Sequence, residues 1–106
     1  MNVQIFSALA DPNRLAIVDL LLHEPLPVGK IVEKLNLNQP QTSKHLHVLS
    51  EAGLVEAHPV ANRRIYKLRP QPFQELDKWL ESYRREWEAR MDRLDDYLDV
   101  LQGKNH

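Results

Sequence analysis

The stretch from Asn38 to Gly53 constrains the fold more than any other part of this 106-residue chain. Asn38 is a favourable helix N-cap, because its side-chain oxygen can accept from backbone N–H groups that have no partner in the first turn. Pro40 falls in that turn, where a missing N–H group costs nothing. Gly53 can adopt the left-handed conformation that commonly follows a helix. The sequence therefore predicts a short helix with two definite ends.

This predicted helix has two unlike faces. At 100° per residue, Thr42, Leu46 and Leu49 share one face, which we expect to pack against the rest of the domain. The opposite side is polar and carries one firm charge; it comprises Pro40, Ser43, Lys44 and His47, with Gln41 at its edge. Such a face suits the DNA major groove, where Gln, Ser and Lys side chains meet base edges and phosphates. An ordinary amphipathic surface helix would show the same pattern.

The sequence before this stretch predicts three more helices. Residues 1–10 are expected to form a short N-terminal helix, and Asp11-Pro12 begins a second, largely apolar helix. Prolines at 25 and 27 end it, and residues 26–28 could add a brief edge strand. A third short helix and a tight connection then lead into Asn38, so that residues 28–53 form a predicted helix-turn-helix motif.

A β-hairpin is predicted directly after the motif, over residues 54–69. The residues alternate on both sides of a turn-like Ala61-Asn62 pair. A two-stranded hairpin in this position is a wing. Arg63 and Arg64 lie near its tip, where they are placed to contact phosphates or the minor groove, although solvated turn charges would give the same pattern.

Residues 73–102 carry the pattern of one long helix without Gly or Pro before its end. Apolar residues recur every seven positions, at Phe73, Leu80, Trp87, Leu94 and Leu101. A second, offset row of mostly apolar residues is interrupted at Arg90, where Met91 could bridge the gap. At 1.5 Å per residue this helix is roughly 40 Å long, which exceeds the small domain before it. The stripe therefore needs a partner, and a two-fold copy is the simplest one. Folding back onto its own domain as core is the alternative.

A homodimer is accordingly expected, through the N-terminal and C-terminal helices. The predicted interface residues are Ile5, Phe6, Leu9, Phe73, Leu76, Leu80, Tyr83, Trp87 and Leu94. The fold class is mainly α (α+β): a single winged helix-turn-helix domain over residues 1–106, with a long C-terminal dimerisation helix.

Composition narrows the function classes. Net charge is −1, but residues 1–72 carry eight Lys and Arg against six Asp and Glu, whereas residues 73–106 carry six against nine. The positive excess therefore lies with the predicted motif, as nucleic-acid binding requires. The chain has no cysteine and three glycines, and it shows no catalytic set or phosphate-binding loop, so we expect neither an enzyme nor a bound cofactor. Without a signal peptide or membrane-spanning run, a cytoplasmic protein is expected.

Three stretches resemble the ArsR/SmtB family of winged-helix repressors. They are residues 8–17, reading ALADPNRLAI, residues 39–49, reading QPQTSKHLHVL, and residues 52–55, reading AGLV. Residues 72–87 are similar to a cysteine-free branch that includes autorepressors. The resemblance implies a homodimer that binds an imperfect palindrome in double-stranded DNA and represses its own operon.

The resemblance also implies roles for individual residues. Gln39, Gln41, Ser43 and Lys44 would contact bases and phosphates, and Pro40 would lie against the DNA backbone. His47 points outward and could reach a phosphate, whereas His45 is expected to be mainly structural.

The sequence departs from the pattern of this family at two places that are connected with metal sensing. Residues 26–29 offer no thiolate where many family members bind metal, and the last helix contains no histidine. Asp92, Asp95, Asp96 and Asp99 stack on one face, but a solvated acidic face explains them better than a cation site. We therefore expect no metal site, and the sequence identifies no small-molecule or protein inducer. A winged-helix module that binds protein instead of DNA remains the alternative function.

Overall fold

The computed structural model describes residues 2–103, which are mainly helical with one antiparallel sheet, as the sequence predicts. The elements, in chain order, are α1 (Val3–Leu9), α2 (Pro12–His23), β1 (Leu26–Pro27), α3 (Val28–Leu35), α4 (Gln39–Glu51), β2 (Val55–Val60), β3 (Arg63–Leu68) and α5 (Pro70–Leu101). Within these residues no helix is both long enough and apolar enough to cross a membrane.

The chain divides into two compact units, where the sequence suggested one folded domain over residues 1–106. The first unit extends to Phe73 and contains α1 to α4 and the sheet; we call it the winged-helix unit. The second begins at Gln74 and contains the remainder of α5; we call it the helical unit.

Hydrogen bonds at Asp11 and Arg14 join the first two helices. The Asp11 carboxylate caps α2, accepting from the backbone N–H groups of Asn13 at 2.8 Å and Arg14 at 3.1 Å. The Arg14 side chain turns back to α1, where its Nε donates to the Ala8 carbonyl at 2.6 Å. One short segment thus satisfies backbone groups at the start of α2 and at the end of α1.

The sheet has three strands in the order β1-β3-β2, so the predicted two-stranded wing gains the brief edge strand. Leu26 pairs with Tyr66, and Val60 pairs with Arg63 across a two-residue loop. Ala61, the first loop residue, has φ +55°. This conformation is uncommon for a residue with a Cβ atom.

The helix-turn-helix motif packs on the core of the winged-helix unit. Ile17, Ile31, Leu46, Leu49 and Leu54 are fully buried there. Asn36 ends α3 in the left-handed conformation, with φ 53° and ψ 45°, and its N–H donates to the Val32 carbonyl. An Asn tolerates this conformation better than most residues, which makes the tight turn into α4 possible.

The helical unit is formed by a helix that has no buried residue. α5 begins at Pro70 rather than Phe73, because prolines are tolerated in a first turn. Its apolar seam does not stop at Arg90: Met91 follows Trp87 by four residues and continues the stripe. The complete seam comprises Leu76, Leu80, Tyr83, Trp87, Met91, Leu94, Leu98 and Leu101.

Candidate nucleic-acid interface

α4 buries one face and exposes the other, as its sequence predicts. Thr42, Leu46 and Leu49 are its buried residues. The polar residues predicted to contact DNA are all exposed: Gln39, Pro40, Gln41, Ser43, Lys44 and His47. Packing of the apolar face against the core therefore fixes which side chains the helix presents outward.

The first turn of α4 is held by two reciprocal hydrogen bonds. The Gln41 backbone N–H donates to the Asn38 side-chain oxygen at 2.8 Å, and the Asn38 side-chain amide donates to Gln41 Oε1 at 2.9 Å. The Thr42 hydroxyl donates to the Asn38 carbonyl at 2.8 Å. The Gln41 amide is thereby oriented before any ligand arrives, with its NH₂ group still available as a donor.

His45 lies on the inward side of α4, as predicted. Its Nδ1 is 4.0 Å from Asp11 Oδ1, and both side chains are partly buried. The Arg14 backbone N–H, donating to Asp11, holds the pKa of that carboxyl below its ordinary value of 3.8. Burial opposes the shift, and the Asn13 N–H and the charges of His45 and Arg14 add to it. His45 therefore connects α4 to the capped start of α2.

A groove runs between α4 and the wing; we call it the α4–wing groove. It gathers four of the predicted DNA contacts, Ser43 and His47 from α4 with Arg63 and Arg64 from the wing. Gln39, Pro40, Gln41 and Lys44 do not line it and occupy the N-terminal part of α4. The exposed surface thus consists of a helix end and an adjoining groove.

Lys30, Ser50 and Asn62 also line the groove, although the sequence did not predict them as site residues. Ser50 could have been found, because it follows Ser43 by seven residues and His47 by three, on one helical face. Lys30 had no such signal, since its place depends on how α3 packs beside the sheet. Its Nζ is 3.5 Å from Glu33 Oε2.

Some basic side chains of the winged-helix unit have a carboxylate partner, and others do not. Lys67 on β3 is 3.4 Å from Glu56, whereas Lys44, Arg63 and Arg64 have no ion pair within residues 2–103. Unpaired exposed cations can neutralise phosphates without first giving up an internal partner. His47, with Nε2 3.9 Å from Glu51, and Lys30 are the exceptions on this surface.

The residues predicted for a dimer interface lie in different surroundings. Phe6 is 40% exposed, and Leu80, Tyr83, Trp87 and Leu94 are also exposed. Leu9 and Phe73 are partly buried against the core, and Leu76 is half-buried.

The prediction for Ile5 needs correction. Its side chain is 3% exposed and packs in the core together with Ala8, three residues on. Because Ile5 and Ala8 share the inward side of α1, the neighbouring Phe6 is directed towards the outer side of this helix.

Within residues 2–103, no three His, Asp or Glu side chains form a group that could hold a metal ion. The aspartates of α5 stack along the helix without such a grouping.

Comparison with known proteins relates this arrangement to regulatory proteins. The family described as "Bacterial regulatory protein, arsR family" matches residues 11–57, which include the helix-turn-helix. The HTH-type transcriptional regulator Rv2034 of Mycobacterium tuberculosis is 46% identical over 65 residues, covering 61% of each chain. The transcriptional repressor SdpR of Bacillus subtilis is 30% identical over 79 residues, covering 74% of this chain and 88% of SdpR.

A solved structure is also similar. It is the homodimeric winged helix-turn-helix DNA-binding domain of Mb0332 from Mycobacterium bovis, a possible ArsR-family transcriptional regulator. It aligns with a TM-score of 0.65 at 28% identity, covering 79% of this chain and 78% of that one. The alignment with SdpR over most of both chains, the family match on the motif and this shared fold agree. The chain belongs to the arsR family of bacterial regulatory proteins and is a DNA-binding transcriptional regulator, not an enzyme.

Proposed function

We propose that this chain is a homodimeric transcriptional repressor that binds an imperfect palindrome in double-stranded DNA upstream of its own operon. The observation that carries the proposal is the exposure of one continuous polar surface, made of the outer face of α4 and the two wing arginines. SdpR, which is named a repressor, and the homodimeric Mb0332 domain support the repressor and dimer parts.

In the proposed complex, α4 enters the major groove. Gln39, Gln41, Ser43 and Lys44 contact bases and phosphates, Pro40 lies against the DNA backbone, and His47 reaches a phosphate. The Gln41 amide, already oriented by Asn38, donates to an acceptor on a base edge, such as N7 or O6 of guanine.

The wing makes a second contact in this proposal. Arg63 and Arg64 flank the tip of the β2–β3 hairpin and have no ion pair in the described part of the chain. They contact phosphates or enter the minor groove, where arginine is favoured by the strong negative potential.

The dimer would form through the seam of α5 together with Phe6 and Leu9 of α1. Two copies of α4 then face successive major grooves, about 34 Å apart, which is one turn of B-DNA. The repressor needs no metal or cofactor in this scheme and acts in the cytoplasm.

A DNA titration tests the proposal. We expect the dimer to bind the DNA upstream of its own gene at least about 10³-fold more tightly than scrambled DNA of equal length. We also expect a steep loss of affinity between roughly 50 and 200 mM salt, because phosphate contacts release counterions. Equal affinity for the two DNAs would contradict sequence-specific repression. No detectable DNA binding, with salt-insensitive binding to a protein, would favour a protein-interaction module instead.

A further inference from the structure

The winged-helix unit carries a second groove, the α2–β3 groove, which the DNA-binding surface does not use. It shares no lining residue with the α4–wing groove and has a volume of about 630 Å³. Its floor is apolar, with Leu15, Val18 and Leu22 of α2 facing Leu68 and Phe73. Leu22 is 71% exposed, so the groove offers a large apolar side chain to whatever enters.

On the rim of this groove, carboxylates without an ion pair in the described part of the chain outnumber Lys and Arg side chains without one. Asp19 and Glu24 are exposed carboxylates without an ion pair among the described residues. Lys67 also lies on the rim, but its ammonium is held 3.4 Å from Glu56. Of the two rim residues Lys67 and Arg69, Arg69 is the one that has no carboxylate partner within residues 2–103.

The end of α2 adds to this negative potential. The helix ends at His23, and the following Glu24 is extended, with φ −165°, and makes no capping hydrogen bond within residues 2–103. The last carbonyl groups of a helix carry partial negative charge, which favours cations nearby. His23 also lies on this rim.

We propose that the α2–β3 groove binds a lipophilic organic cation, a molecule of mostly apolar surface with a delocalised or quaternary positive charge. The apolar floor removes the ligand's hydrocarbon from water, and Asp19, Glu24 and the carbonyl end of α2 attract its charge. Phe73 can place a ring face against the cation. The cavity volume falls in the range of small-molecule sites.

The position of the groove gives such a ligand a route to the DNA-binding surface. β3 contributes Leu68 to the groove at one end and Arg63 to the wing tip at the other. Leu9 and Phe73, which also line the groove, belong to the predicted dimer interface. We therefore expect the bound cation to change operator affinity, and this part rests on the proposed DNA-binding function.

Two ions of the same shape and opposite charge test the binding itself. The full chain is titrated by calorimetry, without DNA, with tetraphenylphosphonium and with tetraphenylborate in sodium buffer. We expect the phosphonium to bind at least about fivefold more tightly, and Asp19→Asn or Glu24→Gln each to weaken it by about two- to fivefold. Glu88→Gln, an exposed carboxylate change on α5, serves as the matched control and should leave the affinity unchanged.

Several results would overturn the assignment of the ligand or its regulatory part. Tighter binding of the borate would mean that Arg69 dominates and that the groove selects anions. Equal binding of both ions, or affinities insensitive to Asp19 and Glu24, would remove the charge argument. No binding of either ion, together with dissociation of the dimer by Leu22→Ser, would assign the groove to a second copy. If the phosphonium bound but did not change the affinity for the operator, only the regulatory part of the proposal would be overturned. This holds whether the operator is bound tightly or weakly.

Discussion

The winged-helix unit and the helical unit use apolar residues in opposite ways. All eleven buried hydrophobic residues found within residues 2–103 belong to the winged-helix unit, where helices and strands cover one another. α5 has no buried residue, although it carries an apolar seam of eight side chains. Since most helical stability in proteins comes from packing of an amphipathic face, such a seam is expected to gain stability from a partner. The first unit has its own core, whereas the second is the part that would associate in the proposed dimer.

The largest effect is expected from a cavity in the winged-helix unit. Leu49→Ala removes a fully buried side chain from the inner face of α4 and should lower the free energy of unfolding by about 2–5 kcal/mol. Val48→Ala, on the outer side of the same helix, is the matched control and should cost less than about 1 kcal/mol. Urea unfolding measures both. Similar losses for the two variants would contradict the division of α4 into a buried face and an exposed face.

The corresponding change in the helical unit should act on association instead. Trp87 is 53% exposed in the middle of the seam, and Trp87→Ala should weaken dimerisation by about 2 kcal/mol or more, roughly 30-fold in the dissociation constant. The neighbouring Glu88→Ala should leave dimerisation unchanged. Sedimentation equilibrium measures the constants. If Trp87→Ala left the dimer intact, the seam would not be the interface.

The base-specific contacts themselves should come from the winged-helix unit. Gln41→Ala should cost about 1–3 kcal/mol of discrimination at one base position, because the oriented amide is lost. Lys44→Ala should weaken binding to all sequences and lower the salt slope by about 1. Neither change should alter the dimerisation constant. Competition titrations with single-base operator variants, at several salt concentrations, separate the two effects.

Local rules were sufficient to predict much of this molecule. Asn38 and Asp11 cap helices as their side-chain chemistry requires, and Gly53, with φ +78°, follows α4 in the left-handed conformation. The inner face of α4 follows from helical periodicity alone. These features depend on residues within one turn of each other, so the sequence contains all the information needed.

Features that depend on distant packing were harder to predict. α1 is one short helix with apolar residues on several sides, so periodicity could not separate the buried Ile5 from the exposed Phe6. The pairing of β1 with β3 joins Leu26 to Tyr66, 40 positions away in the chain. The place of Lys30 in the α4–wing groove likewise depends on packing between α3 and the sheet.

Acid should weaken the winged-helix unit through Asp11. The pKa of this carboxyl is lowered in the folded state, chiefly by the Arg14 N–H, so its stabilisation is present above the ordinary pKa of 3.8. That stabilisation is lost as the pH falls through the folded-state value. Asp11→Asn keeps an acceptor for the cap and removes the titrating carboxyl. The variant should therefore show a smaller fall in the free energy of unfolding at low pH, which we call the acid limb.

Urea unfolding between about pH 7 and pH 3 measures this limb. Glu56 contributes with the same sign, because hydrogen bonds from His58 and Lys67 lower its pKa, so some acid dependence should persist in Asp11→Asn. Asp77→Asn, an exposed change on α5, is the control and should retain the full limb. An unaltered acid limb in Asp11→Asn would exclude this carboxylate as its source.

The smallest effect is expected at the wing tip. Ala61→Gly should relieve a left-handed conformation that costs roughly 1–2 kcal/mol, offset by about 0.5–1 kcal/mol of backbone entropy, for a net gain of at most about 1.5 kcal/mol. Ala57→Gly, within β2, has no positive φ to relieve and should lose stability. Thermal unfolding distinguishes the two signs, and a loss in both variants would show that the loop is unstrained.

In the proposed complex, the helical unit holds two α4 helices together, so that they bind DNA as one dimer. Varying the spacing between the two half-sites of the operator tests this arrangement most directly. The dimer's affinity is measured for the native upstream palindrome and for versions with about 5 or 10 base pairs inserted at its centre. We expect the insertion of half a turn to reduce affinity most, because it places the two half-sites on opposite sides of the duplex. A full turn should restore part of the affinity. Affinity that ignores the insertion would contradict a dimer with two fixed recognition helices.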